Sequence, residues 1–343
     1  MFKNKVAIIT SASFAIGRTC AIAIAFLGLT APNSKAAMLV SSVRNNSILR
    51  YNDKTGEFID TLVPSGSGGL NAPSGMLIGS DGLLYVISIR TDSVLRYNPQ
   101  TGAFIDTFIN DKELDFAEDL AFGKDGNLYL SSSSTTQSRN KIVRYDGKNG
   151  AKIDNFVAPG SGGIFGAVGF GFGYDNNLYV ANVFDNNILR YNGQTGAFID
   201  TFITGKEGDR FADFTFAADG NLYVANPGAN SVSRYNGTTG EFVDTFVTNG
   251  SGGLSRPVET QFGFDGQLYV NSFDTNNILR YDAKTGDFIN AFVPPGSGGL
   301  DGPTSIVFIK DIPEPTSPVA ILAFLFVCGL NIRHIHIFKN TKE

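Results

Sequence analysis

A tyrosine returns along this chain at an almost fixed interval, and that interval limits what the chain can fold into. The positions are Tyr51, Tyr97, Tyr145, Tyr191, Tyr235 and Tyr281, separated by 46, 48, 46, 44 and 46 residues. Each sits in the same local pattern, seen most clearly at 188–202: an Ile-Leu-Arg-Tyr run, a turn rich in Asn, Gly and Thr, then Phe-Ile-Asp-Thr-Phe. Two strand-forming runs around such a turn predict a β-hairpin. A period in this range defines a repeat architecture in which each unit buries its apolar face only against its neighbours.

Two more strands precede each hairpin. The first is short and apolar, as in Gly75-Met76-Leu77-Ile78. An Asp81-Gly82 turn then leads to Leu84-Tyr85-Val86, and the same arrangement returns at 125–130, 175–180, 219–224 and 265–270. Asp-Gly between such runs predicts a primed hairpin turn. Four short antiparallel strands per unit describe a propeller blade, and residues 37–311 hold six of them. The expectation is an all-β, six-bladed β-propeller of four-stranded blades. The register of the ends fits closure: Met38-Leu39-Val40 starts at a second strand, and Ser305-Ile306-Val307-Phe308 finishes as a lone first strand. Together they complete one blade and leave no open sheet edge at the seam.

With Pro73-Ser74-Gly75 entering the first strand and Asp-Gly-x-Leu-Tyr-Val following, the repeat resembles NHL repeats and is similar to the streptogramin lyase and gluconolactonase-type propellers. That resemblance implies the fold. It leaves function open, because such propellers include enzymes, binders and scaffolds.

The ends read as address labels. Lys3, Lys5 and Arg18, an apolar run from Ala21 to Leu29 and then Ser34-Lys35-Ala36 describe a signal peptide over 1–36. At the other end, Pro313-Glu314-Pro315, an apolar segment from Val319 to Leu330 and a basic tail resemble the PEP-CTERM sorting signal over 312–343. That resemblance implies export, transient membrane insertion through the C-terminal segment and processing by an exosortase-type enzyme. The expected location is the outer surface or the extracellular space, and the expected partner is extracellular polysaccharide or a surface protein. An ordinary C-terminal anchor would equally place the domain outside.

Composition narrows the chemistry. Cys20, Cys328, His334 and His336 are the only cysteines and histidines of the chain, and all lie in the end segments. The repeat domain therefore has no Cys or His for a thiolate site or a Ser-His or Cys-His nucleophile. Between residues 37 and 311 there are 20 Lys+Arg against 30 Asp+Glu, an acidic balance that argues against nucleic acid.

Features shared by every blade are read as structural. Arg50, Arg96, Arg144, Arg190, Arg234 and Arg280 recur opposite Asp60, Asp106, Asp154, Asp200, Asp244 and Asn290, which predicts a cross-strand polar pair on an outer strand. Gly-Ser-Gly-Gly at 66–69, 160–163, 250–253 and 296–299 lacks the following Gly-Lys-Ser/Thr of a phosphate loop and reads as a flexible connector. The departures are more informative. The connectors 111–119 and 206–213 are charged instead. Counting back from the second-strand turns aligns Gly75, Asp119, Gly169, Asp213, Glu259 and Ser305 in one column near the start of the innermost strand. Asp119, Asp213 and Glu259 are therefore expected to converge on one mouth of the central channel. Such hard oxygens suit Ca²⁺ or Mg²⁺, or simply bond to nearby backbone and water. Two functions remain open: a non-enzymatic binding or scaffold protein, and a divalent-metal hydrolase or lactonase.

Overall fold

In the computed structural model, residues 36–310 are described; the signal-peptide and sorting-signal readings fall outside them. Six four-stranded antiparallel sheets form, each with an innermost strand a and an outermost strand d. Blade 4 is representative, with strands Ala167–Phe172, Leu178–Asn182, Asn187–Tyr191 and Phe198–Thr204. The a strands lie against one another all the way round, from Pro73–Ile78 through Leu120–Phe122, Ala167–Phe172, Asp213–Phe216 and Pro257–Phe262 to Pro303–Ile309 and back to the first. The ring closes where the sequence predicts. Pro303–Ile309 is strand a of blade 1 and pairs with Ala37–Ser42, with Leu39 opposite Val307.

Period-2 alternation makes each sheet apolar on both faces, so the core is divided into six slabs between blades. In blade 4, Leu178 and Val180 face blade 3 with Phe156 and Val157. Tyr179 and Ala181 face blade 5 with Leu222 and Val224. The last slab joins blade 6 to blade 1 through Tyr269, Ile278, Met38 and Val40.

The Asp-Gly turns differ in type from the primed turn expected. Gly82 N–H donates to the Gly79 carbonyl and Gly79 N–H to that of Leu83, both at 2.9 Å. Only Gly82 has positive φ (76°). This is a type I turn closed by a left-handed glycine, the bulged hairpin form. Asp81 keeps an ordinary backbone because its side chain has other work: Oδ1 accepts from Leu83 N–H and Oδ2 from the Tyr85 hydroxyl.

The arginine row is the outer-strand ladder anticipated. Arg190 lies opposite Asp200 and grips it with Nε at 3.0 Å and Nη2 at 2.5 Å. The same fork recurs at Arg50, Arg96, Arg144 and Arg234. Arg280 faces Asn290 instead and turns to Asp265 at 3.5 Å, leaving its buried Nε without a partner.

Gly-Ser-Gly-Gly is a packed part of the blade interface, and here the flexible-connector reading is corrected. Each copy forms a 3₁₀ turn with left-handed glycines. The hydroxyls of Tyr51, Tyr97, Tyr191 and Tyr281 donate to the carbonyls of Ser297, Ser67, Ser161 and Ser251, all at 2.8 Å. The third residue of each motif lies on an outer phenylalanine of the next blade: a Cβ on Gly162 would sit 2.2 Å from the Phe198 ring. Glycine is required twice over, by the contact and by its φ of +63°.

Candidate functional site

The a strands enclose a central channel, and its mouth is a cavity of about 410 Å³. The sequence column falls where counting placed it: Gly75, Asp119, Gly169, Asp213, Glu259 and Ser305 all line this cavity. Asp119, Asp213 and Glu259 are thus brought to one throat, together with Glu118, which the column reading did not include.

Each throat carboxylate spans a blade boundary. Asp119 Oδ2 accepts from Phe170 N–H of blade 4 at 3.0 Å, and its Oδ1 from Leu120 N–H at 2.8 Å. The backbone N–H groups of Phe214 and of Thr260 in blade 6 face Asp213 and lower its pKa against the effect of burial. Glu259 Oε2 accepts from Ile306 N–H of blade 1 at 2.7 Å and from Asn271 Nδ2 at 3.2 Å, while Ser305 Oγ donates to Oε1 at 3.4 Å. Where the column holds serine, Ser305 Oγ accepts from Met76 N–H. Where it holds glycine, the glycine's own N–H crosses instead: Gly75 N to Glu118 O and Gly169 N to Ala212 O, both at 2.9 Å. The column therefore closes all six boundaries, three of them through carboxylates. The glycines are obligatory, since a Cβ on Gly169 would meet Asp213 Oδ1 at 2.5 Å.

Burial raises the pKa of these acids. Asp119 is pushed up to about 6 against its backbone donors. Glu118 is pushed up to about 7, with Arg256 opposing the shift. Burial and then the Asp119 charge raise Asp213 well above the usual range; burial, Asp213 and Asp119 do the same for Glu259. Such carboxylates are stronger bases than surface ones. Among the described residues no three acidic groups lie close enough to hold one ion between them. The chemistry of the donors suits Ca²⁺ or Mg²⁺; their spacing as described does not make a cage.

Above the throat, the second-to-third-strand loop is bonded to the connector entering its own blade in five of the six blades; in blade 5 Pro227 has no N–H to give, and Arg210 N–H donates to Asn226 Oδ1 instead. Val43 N–H donates to Gly302 O, Ile89 to Ala72, Ser133 to Phe116, Val183 to Gly166 and Phe273 to Arg256. This builds a collar that is largely apolar, with Val43, Ile89, Val183, Pro227 and Phe273 facing the cavity. Arg44 and Arg256 each stack on the Phe273 ring, at 4.6 and 4.5 Å. Sequence reasoning missed the collar because it lies in loops that the repeat alignment treats as spacers.

No protein-family model matches the chain, and no curated protein matches it. Solved structures match over most of the ring. A chain in a nidogen/laminin complex is 15% identical with a TM-score of 0.59, covering 80% of this chain and 98% of that one. A putative gluconolactonase is 17% identical with a TM-score of 0.56, covering 70% and 82%. A catalytically inactive virginiamycin B lyase from Staphylococcus aureus, solved with quinupristin, is 16% identical with a TM-score of 0.55, covering 82% and 94%. At these identities the likeness shows the fold alone, a six-bladed β-propeller. Enzymes and a protein from a protein–protein complex share it.

Proposed function

We propose that the chain is an exported, surface-associated propeller that binds or scaffolds extracellular material, polysaccharide or a surface protein, without turning it over. The observation that carries this reading is the commitment of Asp119 and Glu259 to the N–H groups of the next blade. A carboxylate that holds two sheets together is poorly placed to move through a reaction cycle. Support also comes from the absence of His and Cys between the end segments and from the signal-like and PEP-CTERM-like ends. Cell fractionation, with the masses of both termini of the recovered protein, tests it. Processed chain at the surface or in the medium is expected; unprocessed chain in the cytoplasm overturns it.

The second reading is a divalent-metal lactonase at the same cavity. The spacing of Asp119, Asp213 and Glu259 does not let all three hold one ion, so one or two of them would hold Ca²⁺ or Mg²⁺ with water completing the shell, and another would act as base. Its support is that all three line one cavity with raised basicity. Calorimetry with either ion decides: heat of binding that disappears in Asp213→Asn favours the lactonase, and no heat removes it.

A further inference from the structure

The arginines of residues 36–310 divide cleanly. Six form the outer ladder, and the other five (Arg44, Arg90, Arg139, Arg210 and Arg256) lie in second-to-third-strand loops or connectors, with Arg210 and Arg256 lining the channel mouth. Besides Arg139 of blade 3, which Asp115 holds at 2.8 Å, the loops and connectors of this face present exposed arginines and phenylalanines at the rim. Blades 5, 6, 1 and 2 carry Arg210, Arg256, Arg44 and Arg90, while blades 3 and 4 carry Phe116 and Phe184. Because the ring is closed, the four arginines form one continuous arc and the two phenylalanines complete it. Four exposed cations stand on this rim of an acidic domain; Asp301 and Asp274 pair with two of them, and four carboxylates line the throat.

The backbone points to the same rim. Three residues before each column position lies Ala72, Phe116, Gly166, Arg210, Arg256 or Gly302. This position is left-handed in blade 4 (Gly166, φ 79°) and blade 1 (Gly302, φ 66°), where glycine occupies it. It is also left-handed at Ala72 (φ 56°), Phe116 (φ 32°) and Arg256 (φ 53°), so the conformation belongs to the repeat, and at Phe116 and Arg256 a bulky side chain is held in a conformation that L-residues disfavour. Phe116 is 58% exposed and Phe184 44%; the Phe184 ring rests on Phe165, with centroids 4.8 Å apart, and leaves its other face open. Arg90 and Arg210 have no carboxylate within ion-pair distance among the described residues, whereas Arg44 has Asp301 at 3.0 Å and Arg256 has Asp274 at 3.8 Å.

We propose that this rim is a docking surface for an anionic glycan, a chain of uronic acid units, lying over the channel mouth. The claim rests on the binding reading above and gives it a surface. Carboxylates of the glycan meet the guanidiniums of the arc. Pyranose faces lie on Phe184 and Phe116, where C–H bonds meet aromatic faces. Hydroxyls reach inward to Glu118 and Asp213, whose oxygens retain acceptor capacity. An acidic peptide satisfies the arc but brings no such density of hydroxyl donors to an acid-lined throat. Charge complementarity at the rim and hydroxyl donation in the throat thus select the glycan together.

Titration calorimetry of the full chain tests this with a galacturonate hexamer, poly-glutamate of equal length and a neutral dextran oligomer. The hexamer alone is expected to bind, more weakly as salt rises. Arg90→Ser with Arg210→Ser is expected to weaken it about tenfold, as loss of two exposed charge-assisted contacts does, with the melting temperature unchanged. Phe184→Ala is expected to weaken it while leaving the salt dependence as it was. Absence of hexamer binding, equal or tighter binding of poly-glutamate, or rim variants that bind like the parent overturn the proposal. None of these outcomes bears on fractionation, so the glycan can fail while export and surface residence stand, and the reverse.

Discussion

Lys152 Nζ lies 3.1 Å from Asp111 Oδ2 and 2.7 Å from Glu113 Oε2, at the place where other blades set a glycine on a phenylalanine. Lys152 replaces the outer phenylalanine, and the charged connector replaces Gly-Ser-Gly-Gly. The Tyr145 hydroxyl follows the exchange, donating to Asp111 Oδ2 at 2.8 Å instead of to a serine carbonyl. In blade 5 a third solution appears, with Lys206 Nζ 4.7 Å over the Phe242 ring. Connector and outer strand change as a pair because they are two halves of one inter-blade contact. A double-mutant cycle of Lys152→Met and Asp111→Asn is therefore expected to show a coupling of about 1 kcal/mol in denaturant unfolding. Additive effects would mean that the two residues act separately.

The ladder carries its own control. Arg280 faces Asn290, and its buried Nε is unpartnered. Asn290→Asp supplies the missing fork, and the expected gain is about 1 kcal/mol, a charge-assisted pair replacing a buried unpaired donor. Chemical denaturation of the two proteins measures it, and a destabilised variant would contradict the ladder's role.

Stability should rise as the solution is acidified from about pH 7.5 to about pH 5. Glu118 and Asp119 titrate near 7 and 6 when folded, above their ordinary values of 4.5 and 3.8, and Asp213 and Glu259 are displaced in the same direction. The native state binds these protons more tightly than the unfolded chain, so their stabilising effect is complete at low pH and is lost as pH rises through the folded values. Asp106, Asp111, Asp125 and Asp219 are shifted down, and their contribution is lost in acid, which places the optimum near pH 5. Glu118→Gln is expected to flatten the neutral limb of a melting-temperature profile. A parent profile flat between pH 5 and 7.5 would show that channel water cancels the burial.

Phe116→Gly is expected to leave the fold intact and stabilise it by about 0.5 kcal/mol, relief of the left-handed strain exceeding the greater freedom of glycine when unfolded. The same change should weaken glycan binding. Lost stability in thermal unfolding would mean that the exposed ring packs against something that holds the blade.

Much of this was legible before any coordinates. The tyrosine period defines the six blades, and the half-blades at Met38 and Ser305 define the closure. Column counting brings Asp119, Asp213 and Glu259 to one throat, since a repeat transfers position from blade to blade. What the column could not convey is what each carboxylate touches. Phe170 and Ile306 present their N–H groups from the next blade, at sequence distances of 51 and 47 residues. Gly162 reads as slack in the sequence because its need for glycine comes from Phe198, on another blade. The rim escaped for the opposite reason: Ala72, Phe116, Gly166, Arg210, Arg256 and Gly302 share one backbone position but no residue type, so no pattern marks them.

The most direct measurement compares the parent chain with an Arg44→Ser, Arg90→Ser, Arg210→Ser, Arg256→Ser variant expressed in its own cells, scoring protein held by the extracellular material against protein free in the medium. Export of both, with the parent retained and the variant released, is the result predicted for a rim that binds anionic glycan outside the cell. Equal retention of the two, or neither leaving the cell, would contradict the account.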